Sequence, residues 1–331
     1  MKLDKTILIT GGAGFIGSHL VKRFVTNYPS YHIINLDKLT YCGDLYNVKE
    51  VEGADNYTFI GGDICDNKLL KNIFEEYKPD AIIHLAAESH VDNSISNPNI
   101  FIETNVVGTC NLLNMAVKYN IERFYHVSTD EVYGELELDE HPFSETTPYD
   151  PKSPYSASKA ASDHFVRAYG NTYGLNYVIS NCSNNYGPNQ YPEKLIPKVI
   201  ECILHKKSIP VYGDGKNIRD WLYVEDHAKA IDIIFHTGNA AETYNVGGDC
   251  EKTNLDLIRI ICNEIDFMLS NDNSSTELIK FVNDRKGHDF RYAINSDKLQ
   301  KKLGWEPETP FMLGIKKTID WYIKNLNRER R

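Results

Sequence analysis

The chain has 331 residues, of which 41% are hydrophobic and 25% are charged, and this composition excludes disordered, collagen-like and coiled-coil chains. With 36 Lys and Arg against 46 Asp and Glu, the formal net charge is −10, which argues against a nucleic-acid or anionic-membrane partner. The length predicts about two domains.

Strand-like and helix-like segments alternate through the first half of the chain. The pattern predicts strands at 6–10, 32–36, 57–60, 81–87, 123–128 and 176–180, and helices at 14–26, 68–77, 102–119 and 155–173. Such alternation is typical of βαβ units around a parallel sheet. We therefore expect a Rossmann-type, doubly wound α/β domain over residues 1–180, with ligands at the carboxyl ends of its strands.

The pattern changes after residue 180. Residues 181–192 are rich in Asn, Gly, Pro and Tyr and predict a loop. Further helices are expected at 195–205, 226–237, 255–269 and 311–325, with a strand at 209–212. We expect a smaller, discontinuous substrate domain over 181–331, with a segment near 219–248 that returns to the first domain.

A glycine-rich turn follows the first predicted strand and opens the first helix. Its glycines permit close approach to a pyrophosphate, whose charge is favoured at a helix N-terminus. Asp37 ends the next strand, where a carboxylate would bind ribose hydroxyls and repel a 2′-phosphate, so the pattern favours NAD over NADP. The candidate NAD-binding residues are Gly11, Gly12, Gly14, Phe15, Ile16, Gly17, Asp37, Lys38, Leu39, Thr40, Asp63, Ile64, Leu85, Ala86, Ala87, Thr104, Tyr155, Lys159 and Asn185.

Tyr155 and Lys159 are four residues apart on a predicted helix, so they share one face. A free tyrosine has a pKa near ~10. We expect the lysine cation, together with the positive nicotinamide, to favour the phenolate. Such a phenolate could take a proton from a sugar hydroxyl while hydride leaves the same carbon.

These motifs together resemble the extended short-chain dehydrogenase/reductase superfamily, and within it the nucleotide-sugar 4,6-dehydratases. Besides the glycine turn and the Tyr155–Lys159 pair, the resemblance is carried by the segments 87–92 (AESHVD), 128–134 (STDEVYG), 181–188 (NCSNNYGP), 219–221 (RDW) and 285–289 (RKGHD). It runs from about residue 5 to about residue 310.

The resemblance implies an NAD-dependent hydro-lyase that converts dTDP-glucose to dTDP-4-keto-6-deoxyglucose and water. Tyr155 and Lys159 would serve oxidation at C4, Glu131 would take the C5 proton, and Asp130 would protonate the leaving C6 hydroxyl. Thr129 would donate a hydrogen bond to the C4 oxygen. Hydride would finally return to C6, so that NAD is regenerated. Two adjacent acids can divide such roles when their environments separate their pKa values.

The resemblance also implies where the nucleotide sugar binds. The candidate substrate residues are Ser89, Thr129, Asn184, Lys194, Leu195, Pro210, Val211, Tyr212, Arg219, Asn254, Asp284, Arg285, Lys286, Gly287 and His288. Arg219 is suited to the diphosphate through its bidentate guanidinium. It further implies a place in dTDP-rhamnose or other deoxysugar biosynthesis, and a homodimer paired through the helices at 103–119 and 155–173.

Several alternatives stay open at this point. The same fold could serve a sugar-nucleotide 4-epimerase, a dehydratase for another nucleotide sugar such as UDP-glucose, or a non-catalytic dinucleotide sensor or scaffold. Asp130 and Glu131 argue against the epimerase.

The histidines and cysteines predict no metal site. Among 11 histidines no metal-ligand spacing appears, and His84, His126 and His164 are interpreted as core residues. Apolar runs fall short of the ~20 residues of a membrane helix. The seven cysteines are odd in number and never spaced CxxC, which predicts a cytoplasmic protein with reduced thiols.

Overall fold

The framework of the protein is a seven-stranded parallel sheet. The computed structural model describes residues 4–284 and 288–325. The strands are β1 Lys5–Thr10, β2 Tyr31–Asp37, β3 Tyr57–Gly61, β4 Ala81–His84, β5 Arg123–Thr129, β6 Tyr177–Cys182, β7 Asn184–Tyr186, β8 Ile209–Tyr212, β9 Ile218–Tyr223, β10 Glu242–Val246, β11 Glu251–Thr253 and β12 Ile279–Val282. The sheet has the order β10-β6-β5-β4-β1-β2-β3.

Helices cover both faces of this sheet. They are α1 Phe15–Asn27, α2 Asn67–Tyr77, α3 Val91–Ser96, α4 Pro98–Phe101, α5 Thr109–Lys118, α6 Pro154–Tyr173, α7 Leu195–Leu204, α8 Val224–Thr237, α9 Asn254–Leu269, α10 Asp297–Leu303 and α11 Phe311–Lys324. Helices α1 and α8 contribute to the core on one face, and α2, α5 and α6 to the core on the other. The predicted doubly wound α/β fold is therefore confirmed. The central strands are continuous apolar runs because both of their faces are buried.

A second core lies beyond the carboxyl ends of the large sheet. Helices α7, α9 and α11 pack around a three-stranded sheet of order β11-β9-β7 and a two-stranded sheet of β12 and β8. Strand β9 belongs to the small sheet, whereas β10 pairs with β6 in parallel. The division into two domains at residue 180 stays a prediction.

Three parts of the predicted pattern are wrong. The strand predicted at 81–87 ends at His84, and residues 85–87 instead line a cavity. The helix predicted at 102–119 contains a π-helical stretch, Ile102–Gly108. The loop predicted at 181–192 includes the end of β6 and all of β7. These strands form through long-range pairing, β6 with β5 and β10 and β7 with β9, and Asn181 Nδ2 donates to Tyr133 Oη at 2.7 Å.

Two further interpretations are settled by burial. His84 and His126 are buried as expected, whereas His164 is exposed, since α6 turns Asp163 inward and the next position outward. The helical run Pro98–Lys118 has a mean hydropathy of 1.2, so by length and composition alone it could cross a membrane. Leu112, Leu113 and Ala116 of this run are fully buried in the core, and core helices of soluble folds meet the same criterion.

Candidate active site

A cavity of about 300 Å³ opens at the carboxyl ends of β1, β2, β4, β5 and β6. Parallel strands present their ends at one edge of a sheet, which is the usual ligand position in this fold class. The cavity brings together most of the predicted residues: Gly11, Gly14, Phe15, Ile16, Gly17, Asp37, Lys38, Thr40, Asp63, Ile64, Leu85, Ala86, Ala87, Ser89, Thr104, Thr129, Asp130, Glu131, Tyr155, Lys159, Asn184, Asn185 and Lys194.

Other predicted residues do not line this cavity. Gly12 packs behind the turn, where a Cβ would lie 2.3 Å from Asn35 Oδ1, and Leu39 points outward. On the substrate side the cavity wall does not include Leu195, Pro210, Val211, Tyr212, Arg219, Asn254, Asp284 or His288. Arg285, Lys286 and Gly287 lie outside the described residues.

The glycine turn forms a close-packed cradle. A Cβ on Gly17 would lie 2.1 Å from the carbonyl oxygen of Gly11, and Gly11 itself has a φ of +74°. Gly14 is the N-cap of α1, and neither a side-chain cap nor an acidic residue occupies the first turn. Backbone N–H groups and a positive helix end thus face the cavity, which is the donor set that a pyrophosphate needs. The turn fits a dinucleotide.

Asp37 is fixed on the cavity wall at the end of β2. Its Oδ2 accepts from Ala13 N at 2.9 Å and its Oδ1 from Leu39 N at 2.8 Å. Burial raises the pKa of Asp37, although these backbone N–H groups oppose the shift. At the end of β3, Asp63 pairs with Lys38 at 2.7 Å. The two acids line one side of the cavity, as a ribose and adenine site requires.

Tyr155 and Lys159 face the cavity from α6, which begins with a capping box at Ser153. Lys159 Nζ donates to the Val127 carbonyl at 2.9 Å. Burial raises the pKa of Tyr155 well above its ordinary value, the charge of Glu131 raises it further, and a hydrogen bond with Thr129 opposes the shift. The protein's own groups thus do not favour the Tyr155 phenolate. The expected phenolate depends partly on the positive charge of a bound nicotinamide.

The Thr129–Glu131 triplet directly follows β5. Thr129 Oγ1 accepts from Glu131 N at 3.3 Å, while Asp130 Oδ1 lies 3.4 Å from Thr129 Oγ1. Asp130 is 2% exposed, and its buried Oδ2 has no hydrogen-bond partner among the described residues. Burial raises the pKa of Asp130 well above the usual range, and the charges of Glu131 and Asp220 add to this shift. A carboxyl with a raised pKa at this position can donate its proton to a leaving oxygen.

Arg219 is buried, but the contacts described for its guanidinium are to the protein. Nη1 donates to the Ile218 carbonyl at 2.7 Å, Nη2 donates to the Asp289 carbonyl at 2.9 Å, and the group lies 4.4 Å from the Tyr292 ring centroid. These contacts hold the guanidinium in place. At the other end of the substrate side, Lys194 Nζ donates to the Ser89 carbonyl at 2.9 Å.

Some cavity residues are not among the predicted site residues, although two of them, Glu88 and Cys182, lie in the segments 87–92 and 181–188 that carry the resemblance. Glu88, Cys182 and Glu193 all line the wall. Glu193 accepts from Tyr41 Oη at 3.2 Å, across 152 positions of sequence. Only the fold brings these two segments together. Among the described residues, no group of three or more His, Cys, Asp or Glu side chains is arranged to hold a metal ion.

Comparison with known proteins gives the family. The profile of the GDP-mannose 4,6 dehydratase family matches residues 8–318. The dTDP-glucose 4,6-dehydratase of Salmonella typhimurium is 51% identical, over 96% of this chain and 93% of that protein.

Solved structures agree with this result. A dTDP-glucose 4,6-dehydratase from Bacillus anthracis in complex with NAD is 45% identical, covers 98% of both chains and has a TM-score of 0.88. The DesIV dTDP-glucose 4,6-dehydratase from Streptomyces venezuelae, with NAD and TYD bound, is 43% identical over 97% of this chain and 98% of its own, with a TM-score of 0.92. The chain therefore belongs to the GDP-mannose 4,6 dehydratase family, and within it to the dTDP-glucose 4,6-dehydratases.

Proposed function

We propose that this chain converts dTDP-glucose to dTDP-4-keto-6-deoxyglucose and water with bound NAD, as a hydro-lyase of deoxysugar biosynthesis, with dTDP-rhamnose as the proposed end product. The observation that carries the proposal is the buried carboxyl of Asp130, whose Oδ2 has no hydrogen-bond partner among the described residues, in the same cavity as Glu131 and Tyr155. Burial raises the pKa of this carboxyl, which favours its protonated form. A simple oxidation or epimerisation at C4 needs no such acid, whereas loss of the C6 hydroxyl does.

Tyr155 is the proposed base for the first step. As the phenolate, which the Lys159 ammonium on the same helix face and the positive nicotinamide of bound NAD would together favour, it would take the proton from O4 of the glucose. Thr129, which hydrogen-bonds to Tyr155, positions the C4 oxygen. Bound NAD supplies the acceptor for the C4 hydride and the donor that returns it to C6.

The two adjacent acids carry the elimination. A ketone at C4 acidifies the C5 hydrogen, and Glu131 takes it as a proton. Asp130 gives its proton to the C6 oxygen, which leaves as water, and Glu131 returns its proton to C5 when hydride returns to C6. The proton that Tyr155 took from O4 replaces, through solvent, the one that Asp130 gave up. This division of roles fits the site, because burial and the charge of Glu131 both raise the pKa of Asp130 and so favour its protonated form.

The proposed cofactor site uses the glycine turn for the pyrophosphate, Asp37 for the adenosine ribose and Asp63 with Ile64 for the adenine. The residues at 85–87, Thr104 and Asn185 would flank the nicotinamide half. The supporting observation is that all of these positions line one continuous cavity.

For the nucleotide sugar, Ser89, Asn184 and Lys194 are the proposed contacts nearest the chemistry, since they line the cavity. Arg219 is proposed for the diphosphate, with the thymidine contacts farther out. Those farther contacts are Leu195, Pro210, Val211, Tyr212, Asn254 and the residues 284–288.

We also propose a cytoplasmic homodimer. Ile102 and Val107 on the 98–118 run and Phe165 on α6 are exposed apolar side chains. Contacts between α5 and α6 place these helices side by side, so a two-fold pairing would bury both sets. All seven cysteines have free thiols, which suits a reducing compartment.

The function is tested by incubating the purified protein with dTDP-glucose, UDP-glucose and GDP-mannose in separate tubes. Proton NMR should show a new C6 methyl doublet and a C4 ketone fastest with dTDP-glucose. An intact C6 hydroxyl with inverted C4 would identify an epimerase instead. Faster turnover of another nucleotide sugar would reassign the substrate, and no turnover in any tube would favour a dinucleotide sensor.

A further inference from the structure

A row of ionisable side chains continues from the Tyr155–Lys159 pair along α6. Tyr155, Lys159, Asp163 and Arg167 follow one another at intervals of four residues, so they lie along one side of the helix. Lys159 is 4% exposed and Asp163 is 0% exposed. Charges this deeply buried are costly unless each has a counter-charge and hydrogen bonds.

The carboxylate of Asp163 joins α6 to the end of β5. Its Oδ2 accepts from Ser128 Oγ at 3.0 Å and from Tyr149 Oη at 2.8 Å, and its Oδ1 lies 3.2 Å from His126 Nε2. Ser128 immediately precedes Thr129, the first residue of the catalytic triplet. The bond from Lys159 Nζ to the carbonyl of the preceding strand residue makes a second tie between the same elements.

Asp163 is the counter-charge of the Lys159 ammonium, because the ionisable groups on the neighbouring strands are neutral. Facing it and Lys159 are His84 on β4, His126 on β5 and Cys182 on β6. Burial lowers the pKa of His126 to about 4, lowers that of His84 well below its usual range, and raises that of Cys182 to about 12. All three groups are therefore neutral near pH 7.

Asp163 itself is ionised. Burial acts to raise its pKa, but His126, Lys159 and the Tyr149 hydroxyl together lower it. For Lys159 the effects are reversed: burial lowers the pKa of its ammonium, and the charge of Asp163 opposes that shift. Arg167, farther along the row, donates to Tyr149 Oη at 3.0 Å, and Tyr149 and Tyr155 are neutral because burial raises the pKa of each phenol.

We propose that Asp163 is a positioning residue for the reaction: its buried carboxylate keeps the ammonium of Lys159 charged beside Tyr155 and ties α6 to the strand end that carries Thr129. Asp163 is not part of the cavity wall; it acts through Lys159 and Ser128. The proposal rests on the proposed function for its effect on turnover, but not for its effect on the charge of Lys159.

The first test is the pH dependence of kcat in Asp163→Asn, which keeps the side-chain shape and removes the charge. Lys159 should lose its proton at lower pH, so the alkaline side of the profile should move by about one unit or more toward neutral pH. The ratio of kcat at pH 9 to kcat at pH 7 should fall relative to the unchanged protein, by up to about tenfold for each unit of that movement.

Asp232→Asn is the matched control. Asp232 is a buried helical carboxylate that accepts from Arg23 at 2.6 Å and from Tyr28 at 2.7 Å, remote from the cavity wall. It should lower the unfolding temperature without moving the alkaline side of the profile. If both variants move that side equally, or if neither does, Asp163 has only a structural role.

The second test needs no turnover. Protein labelled with 13C at the lysine Cε is titrated by NMR, and the Lys159 signal is identified by its loss in Lys159→Arg. The Lys159 midpoint should fall by about one pH unit or more in Asp163→Asn; coincident midpoints overturn the proposal. Should Asp163→Asn not fold, Asp163→Ser supplies a second neutral replacement. A protein that converts no sugar nucleotide but shows the midpoint shift would refute the proposed function and leave this inference standing.

Discussion

Replacing Asp130 by Asn tests whether its carboxyl is held protonated in the folded protein. Asp130 is buried, and its Oδ2 has no hydrogen-bond partner within 4–284 and 288–325. Burial and the charges of Glu131 and Asp220 raise its pKa in the folded protein. An unfolded aspartate has a pKa of about 3.9. At a pH between the unfolded and the folded pKa of Asp130, folding takes up one proton. The contribution of Asp130 to the free energy of unfolding is therefore fully present below the unfolded pKa and is lost as pH rises through the folded pKa.

The expected size follows from linkage. In this window the free energy of unfolding contributed by Asp130 falls by about 1.4 kcal/mol for each pH unit. Asp130→Asn has no carboxyl at this position and so lacks this pH dependence. As pH rises, the free energy of unfolding of the variant should therefore increase relative to that of the unchanged protein by about 1.4 kcal/mol per pH unit. Elimination should meanwhile slow by roughly 10²–10⁴-fold, because an amide cannot give up the proton.

Urea unfolding at pH 5 and at pH 6 measures the first effect, and product formation from dTDP-glucose measures the second. Asp55→Asn, at an exposed position before β3, is the control and should leave the pH dependence of unfolding unchanged. Parallel stability curves for the unchanged protein and Asp130→Asn would refute the reasoning that Asp130 is held protonated. Elimination at an unchanged rate would refute its role as the acid.

Two further predictions concern the cofactor cradle and the dimer. Gly17→Ala should weaken NAD binding at least about tenfold, or by about 1.4 kcal/mol, as measured by equilibrium dialysis. The reason is that its Cβ would lie 2.1 Å from the Gly11 carbonyl oxygen. Gly53→Ala, whose Cβ would meet no described atom within 4 Å, should bind NAD normally. Phe165→Glu should convert a dimer to monomers in light scattering, because it places a charge on the exposed apolar surface of α6. Phe267→Glu, at a side chain that is 79% exposed on α9, should leave the dimer intact. Equal effects of test and control variants would contradict each prediction.

The parts of the site that the sequence predicts are those set by local spacing. The glycine turn needs only a strand before it and a helix after it, and the four-residue interval from Tyr155 to Lys159 fixes a shared helix face. The acids Asp130 and Glu131 follow a predicted strand, but their roles come from the resemblance to the family. In each case the informative residues are close in sequence.

What the sequence does not predict depends on distant contacts. Strand β10 forms because Glu242–Val246 pairs with β6, about sixty positions earlier, and no local pattern in that segment reveals the pairing. The contact of Tyr41 with Glu193 joins two loops that only the completed sheet brings together. The raised pKa of Tyr155 likewise depends on burial and on Glu131, which the spacing of Tyr155 and Lys159 does not contain.

The most direct test of the proposed mechanism follows a single hydrogen atom. Purified protein is given dTDP-glucose deuterated at C4, and the product is analysed by deuterium and proton NMR. Transfer of deuterium from C4 into a new C6 methyl group, with loss of the C6 hydroxyl, is the predicted result. Deuterium that remains at C4 or is lost to solvent, with the C6 hydroxyl intact, would contradict the account.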